Sequence, residues 1–201
     1  GGATEAMRID SSGNVGIGVV PEADWYSKYN ALQLNDGSAL AAYTSGTVFG
    51  TILSTNQRVT ADTFIGGNKY IATAPASLYL QDNAGQHQFY TAPSGTADTA
   101  ISWNTAMTID NVGNVLVGKA SLNPVLAGHE FRSTGLAIHT VSGNDVMILN
   151  RETSTGVALS LKQGNVSVGN ISVTASATSY NTSSDYRLKT NVTPMTGATA
   201  T

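Results

Sequence analysis

The side chains able to do acid–base or ligand chemistry are few and scattered. Glycoside hydrolysis needs two carboxyl groups roughly 5–10 Å apart. Glu5, Glu22, Glu130 and Glu152 stand in different segments, and no pair declares itself. A site assembled across several chains is the remaining route. His87, His129 and His139 lack the spacing of a metal-ligand set, so no metal site is assigned. Copies of one histidine could still meet on a symmetry axis. There is no cysteine, which removes disulfides and thiolate metal sites together. Gly66-Gly67-Asn68-Lys69 lacks the Gly-x-x-x-x-Gly-Lys-Ser/Thr spacing that cradles phosphate, and reads as a turn. No cofactor is implied. The aromatic residues offer more. Trp25, Tyr26 and Tyr29 form one group; Tyr79, Phe89 and Tyr90 form a second, with Trp103 nearby in sequence. Exposed on loops, such rings can hold sugars. Inside, they would be the few large core residues of a thin fold. Alanine replacement separates the two uses, because a core residue takes the fold with it.

These residues must be positioned by short strands. The stretch AMRIDSSGNVGIG at 6–18 returns as AMTIDNVGNVLVG at 106–118, and a shorter echo, LKQGNVSVG, occupies 161–169. Met7 and Ile9 alternate with Arg8 and Asp10, the period-2 pattern of a half-buried strand. Residues 11–14 read as a turn, since Gly13 can take a positive φ and Asp or Asn can bond the local backbone. Val15 and Ile17 then begin a second strand. The same device recurs at Met107, Ile109, Gly113, Asn114, Val115 and Val117. It recurs again at Leu159, Leu161, Gln163-Gly164-Asn165, Val166 and Val168. Three copies mark a modular β protein.

Between the copies, strand follows strand. Residues 31–34 run into the turn Asn35-Asp36-Gly37. Residues 48–53 and 59–65 are strand candidates, and Pro75 interrupts the next ladder. The stretch SLYLQ at 77–81 sends Leu78 and Leu80 one way, Tyr79 and Gln81 the other. After a turn at 82–85, His87, Phe89 and Thr91 alternate against Gln88 and Tyr90. Residues 131–139 and 146–149 read as strands around the turn 142–145. Asp24 and Trp25 could open one helical turn, but no helical stripe persists over three turns before residue 180.

Composition sets limits on this reading. Charged residues are 11% of the 201, the net charge is −3, and the pI is near 5.5. A nucleic-acid groove would want clustered Lys and Arg. No run of 18 apolar residues is present, so no transmembrane helix is expected. Residues 1–10 lack the basic start and apolar run of a signal peptide, and the beginning reads as a cut inside a longer chain. The surface must be mostly Ser, Thr, Asn, Gln and Gly. Hairpins with so few large side chains are marginal alone. They can stack along one chain as a solenoid, or several copies can pool their apolar faces about one axis.

Near the end, Thr182-Ser183-Ser184-Asp185-Tyr186-Arg187-Leu188-Lys189-Thr190-Asn191-Val192 resembles the opening of the intramolecular chaperone domain of phage tail fibres and tailspikes, a self-cleaving domain also attached to endosialidases. The family pattern is roughly Ser-Asp-x-Arg-Leu-Lys-x-Asn-Ile/Val. The upstream RIDSSGNVGIG wording is also similar to distal segments of such fibres. The resemblance implies that three chains are aligned by the chaperone, which is then released by cutting at its start. It implies Ser184 as the nucleophile and Lys189 as its base, a pairing that works because a lysine with a lowered pKa can take a serine proton. The family domain continues for about a hundred residues past this motif; here only 190–201 follow, so self-cleavage belongs to a longer precursor.

The expectation is therefore an all-β, elongated chain of short strands and hairpins, intertwined about a three-fold axis in a homotrimer. Its modules are an N-terminal repeat at 1–30, a central β domain at 31–105, a second β module at 106–180 and a chaperone remnant at 181–201. The resemblance implies the distal part of a virion tail fibre, joined to other tail proteins upstream. It would attach to a host surface polysaccharide or outer-membrane protein, with neither nucleic acid nor membrane insertion involved. Receptor contact is expected from Trp25, Tyr26, Tyr29, Tyr79, Tyr90 and Trp103. A polysaccharide-degrading tailspike and a purely structural shaft are the alternatives.

Overall fold

A computed structural model describes residues 5–35, 37–45 and 48–182. Among the described residues there is no helix, and the chain is all-β. It divides into two compact units, one ending at Val146 and one beginning at Met147. The boundary falls inside the stretch 106–180.

The first unit is built on one eleven-stranded sheet whose strands lie side by side in chain order. It opens with β1 (Met7–Ile9), β2 (Val15–Ile17), β3 (Tyr29–Leu34), β4 (Ser38–Ser45) and β5 (Val48–Thr55). It leaves the sheet for a two-stranded excursion, β6 (Arg58–Val59) and β7 (Asn68–Lys69). It returns through β8 (Ala74–Gln81), β9 (His87–Gly95), β10 (Asn104–Ile109), β11 (Val115–Val117), β12 (Gly128–Phe131) and β13 (Ala137–Thr140). Every neighbouring pair in the large sheet is antiparallel except β2 and β3. The strand expected at 59–65 is only β6 followed by an irregular stretch. Residues 131–139 are interrupted by a turn between β12 and β13, and 146–149 carry no strand.

Residues opposite one another in a sheet share a face, so the register sorts the side chains. On one face, Ala31, Ala41, Ile52 and Leu80 stand in a single row and are buried. The connection carrying Trp25 and Tyr26, together with Val59 and Phe64 of the excursion, covers them. Gly50 makes room for this cover: a Cβ there would sit 2.4 Å from Cε1 of Phe64. Arg58 ties the covering segments together. It donates from Nε to Asp24 Oδ1 at 2.6 Å, from Nη1 to the Tyr70 carbonyl at 3.1 Å, and from Nη2 to Asp98. Farther along the same face, Glu130 is fully buried between Lys119 and Arg132.

The second unit holds a three-stranded antiparallel sheet, β14 (Gly156–Gln163), β15 (Val166–Val173) and β16 (Thr178–Thr182). None of its described residues is buried.

Four hairpin turns in the first unit are alike. At 10–14, 82–86, 110–114 and 132–136, the first residue's N–H donates to the fifth residue's carbonyl. The N–H of the fourth residue, a glycine, donates back to the first carbonyl, at distances from 2.8 to 3.2 Å. The glycines, Gly13, Gly85, Gly113 and Gly135, have φ between +76° and +87°, a conformation in which a Cβ is strained. In the two longest repeats the first residue is aspartate. Asp10 Oδ1 accepts from the N–H groups of Ser12 and Asn14, and Asp110 Oδ1 accepts from those of Val112 and Asn114. The buried Asn14 then accepts from the Ala31 N–H on β3, and Asn114 from the Ser133 N–H after β12. This staple to the next segment is what the Gly-Asn-Val wording encodes. The echo at 161–169 is a different device. It turns at Gly164-Asn165, φ +55° and +67°, a two-residue hairpin loop.

Candidate functional site

The other face of the eleven-stranded sheet is open. One row crosses all of it. Ile9 lies opposite Val15, which lies beside Leu32, then Leu40 and Leu53. The row continues through Tyr79, Phe89, Met107 and Val117 to His129 and His139. Along the strands this face presents no Asp, Glu, Lys or Arg. A sheet face in water normally alternates to polar residues, so an uncharged and largely apolar face is unusual.

At its centre are the stacked rings of Tyr79 and Phe89, with centroids 4.8 Å apart and planes inclined by 29°. His87 also stacks with Tyr79, at 6.0 Å and 18°. The Tyr79 hydroxyl lies 2.5 Å from His87 Nδ1 and accepts from Gln81 Nε2 at 3.0 Å. These bonds fix the ring's orientation. One pleat away runs a parallel rail of hydroxyls, in which Ser38, Thr55, Ser77 and Thr91 lie opposite one another on successive strands. The two rails line a shallow depression of about 430 Å³. Rows two residues apart in a strand are separated by about 6.8 Å, close to the width of one pyranose ring. An aromatic rail beside a hydroxyl rail can therefore stack on the apolar face of a sugar while bonding its rim hydroxyls. Along the described strands this face carries no carboxylate.

The expected receptor residues divide. Tyr79 is on the open face. Trp25, Tyr29 and Tyr90 are buried in the core beneath the opposite face, and Tyr26 and Trp103 pack against that core. Tyr90 follows Phe89 by one residue, and that step sends it through the sheet. Ser184 and Lys189 lie outside the described residues. Of the glutamates of the first unit, Glu5 pairs with Arg8, Glu22 lies 3.9 Å from Arg58 and Glu130 is buried; Glu152, in the second unit, is exposed. His129 and His139 face each other across β12 and β13, Nδ1 to Nδ1 at 2.7 Å, with Phe131 edge-on to His139. No group of three or more potential metal ligands occurs among the described residues. The hydroxyl rail was not foreseen. The alternation of 77–81 and 87–91 places Ser77 with Tyr79 and Phe89 with Thr91, but the cross-strand register that aligns them is not visible in a linear sequence.

No known family, curated protein or solved structure matches this chain.

Proposed function

We propose that this chain is the distal part of a phage tail fibre or tailspike, and that it attaches the virion to a neutral glycan on the host surface. The carrying observation is the uncharged aromatic and hydroxyl platform at Tyr79, Phe89, Ser77 and Thr91. The resemblance of residues 182–192 to the start of a fibre chaperone supports the setting. So do the two long repeats, 6–18 and 106–118, each hairpin fastened to the next segment by an asparagine. The working form is a homotrimer, in which three platforms act together, so that each can be individually weak. In a longer precursor, Ser184 and Lys189 would release the chaperone.

The test is binding of the labelled protein to an array of neutral and acidic bacterial polysaccharides, repeated with Tyr79→Ala and Phe89→Ala. Each variant should lose at least tenfold in affinity for a neutral glycan, the ~1.4 kcal/mol expected of an anchoring aromatic, with native tryptophan fluorescence. Binding confined to acidic polysaccharides, or binding indifferent to both substitutions, would remove the platform from the function. Adherence to host cells that is lost on proteolysis of the cell surface would turn the reading to an outer-membrane protein. A protein that binds neither glycans nor cells is a structural shaft.

A further inference from the structure

The last two strands of the large sheet bring two histidines together. His129 on β12 and His139 on β13 are directly opposite in the register, so both rings stand on the open face. Their Nδ1 atoms are 2.7 Å apart, the ring centroids 4.9 Å, and the planes cross at 61°. Phe131, two residues along β12, meets the His139 ring edge-on at 5.7 Å and limits its rotation. Thr140 Oγ1 donates to the Pro124 carbonyl at 2.8 Å, which pins the end of β13. Both rings are half-buried, and neither Nε2 makes a hydrogen bond to a described residue. A contact this close between two neutral imidazoles needs one N–H and one lone pair. One ring therefore carries its proton on Nδ1 and the other on Nε2.

We propose that this cross-strand pair is a two-histidine site for a divalent transition-metal ion of the zinc, nickel and copper kind. When the shared proton moves to its own ring's Nε2, both rings stay neutral and both Nδ1 atoms aim a lone pair at one point. Zinc–nitrogen bonds of about 2.0–2.1 Å at a tetrahedral angle set the two nitrogens about 3.3 Å apart, so opening the contact by roughly 0.6 Å admits the ion. Imidazole suits these metals, whereas magnesium and calcium need a shell of oxygens. The neighbouring carboxylate, Glu130, projects to the opposite face and is held there by Lys119 and Arg132, so it adds no oxygen ligand. No Lys or Arg of the sheet's strands shares the open face to repel a cation. Water would fill the remaining positions. The ion would tie β13, a four-residue strand paired on one side only, to β12. An ion that binds only the folded hairpin stabilises it by mass action.

The site lies beyond β10 and β11 from Phe89, and it rests on none of the glycan chemistry of the proposed function. The experiment is calorimetric titration of the untagged full chain, first stripped of metal by a chelator, with zinc chloride. Wild type is expected to take up one zinc per chain. His129→Ala and His139→Ala should each weaken uptake at least tenfold. His87→Ala, which removes the third histidine of the sequence, should leave zinc uptake unchanged. Trp25 and Trp103 share the first unit with the site, so native tryptophan emission shows that a variant is folded. Either substitution also alters a short hairpin, and the wild type therefore carries a second readout. The ring NMR signals of His129 and His139 should move together as zinc is added, while those of His87 stay in place. Magnesium and calcium should neither bind there nor compete. A wild type that takes up no zinc, uptake that survives both substitutions, equal competition by calcium, or still ring signals would each overturn the site.

Discussion

Glu130 has no exposed side-chain surface, yet both carboxylate oxygens are fully engaged. Oε1 accepts from Lys119 Nζ and from the Asn123 N–H, each at 2.8 Å; Oε2 accepts from Arg132 Nε at 3.0 Å and Nη2 at 2.8 Å. The bond from Lys119, with Arg132 adding to it, holds the carboxyl down at about 2. An unfolded glutamate titrates near 4.3. A folded pKa below the unfolded one contributes stability that is complete above about pH 4.3 and lost as the pH falls toward 2. Wild type should therefore lose thermal stability steeply in that window. Glu130→Gln should be less stable than wild type at neutral pH, since Lys119 would keep a buried charge without its partner. The difference between the two should shrink as the pH falls to 2. A gap in melting temperature that stays constant from pH 7 to 2 would show that the carboxylate is not coupled to folding.

At the scale of the element, the repeated hairpin explains how a sequence with few large side chains holds its register. Each of the two longest copies spends a glycine on a left-handed turn and an asparagine on the next segment. Gly113 has φ +87°, and the nearest atom to a Cβ built there is Ser133 Cβ at 3.8 Å. Space is not the obstacle to a side chain, so Gly113→Ala isolates the backbone strain and should cost about 1 kcal/mol. Asn114→Ala removes the acceptor for the Ser133 N–H and the donor to Asp110 Oδ2. It should cost more, about 1–3 kcal/mol, because it removes two hydrogen bonds of a buried side chain, each worth about 0.5–1.5 kcal/mol. Chemical denaturation of both variants checks the order. A larger loss for Gly113→Ala than for Asn114→Ala would contradict this account of the repeat.

Much of this level was legible. The alternation at 7–9, 77–81 and 87–91 gave both the strands and their faces, since period 2 is imposed by the pleat. The turn at 132–136 was missed although Arg-Ser-Thr-Gly-Leu carries the same glycine position as Asp-Ser-Ser-Gly-Asn; without the aspartate, the apolar residues around it read as one long strand. The stretch 59–65 fails as a strand because it arches over the core instead of pairing with a neighbour. The aromatic residues show where sequence reasoning stops. Tyr79 and Tyr90 look alike in composition and setting, and only cross-strand register shows one on an open platform and the other in the core.

For the whole molecule, the two units have different sources of stability. The first has a core beneath its large sheet, with Ile52, Leu80 and Leu116 almost without exposed surface. None of the described residues of the second unit is buried, and a small sheet needs a packed apolar face for independent stability. In the proposed homotrimer its folding is coupled to association, and its apparent stability rises with concentration by mass action. Thermal unfolding should then occur in two steps. Tryptophan emission, reporting Trp25 and Trp103, should follow the first unit with a midpoint that does not move with concentration. The tyrosine signal of Tyr180, isolated as the difference between wild type and Tyr180→Phe, should follow the second, and its midpoint should climb as the protein is concentrated. A tenfold change in concentration shifts the balance of a dimer by about 1.4 kcal/mol per dimer and of a trimer by about twice that, so the slope also reports how many copies meet. A single transition with coincident tryptophan and tyrosine midpoints would mean that the two units fold as one, and that the second does not draw its stability from association.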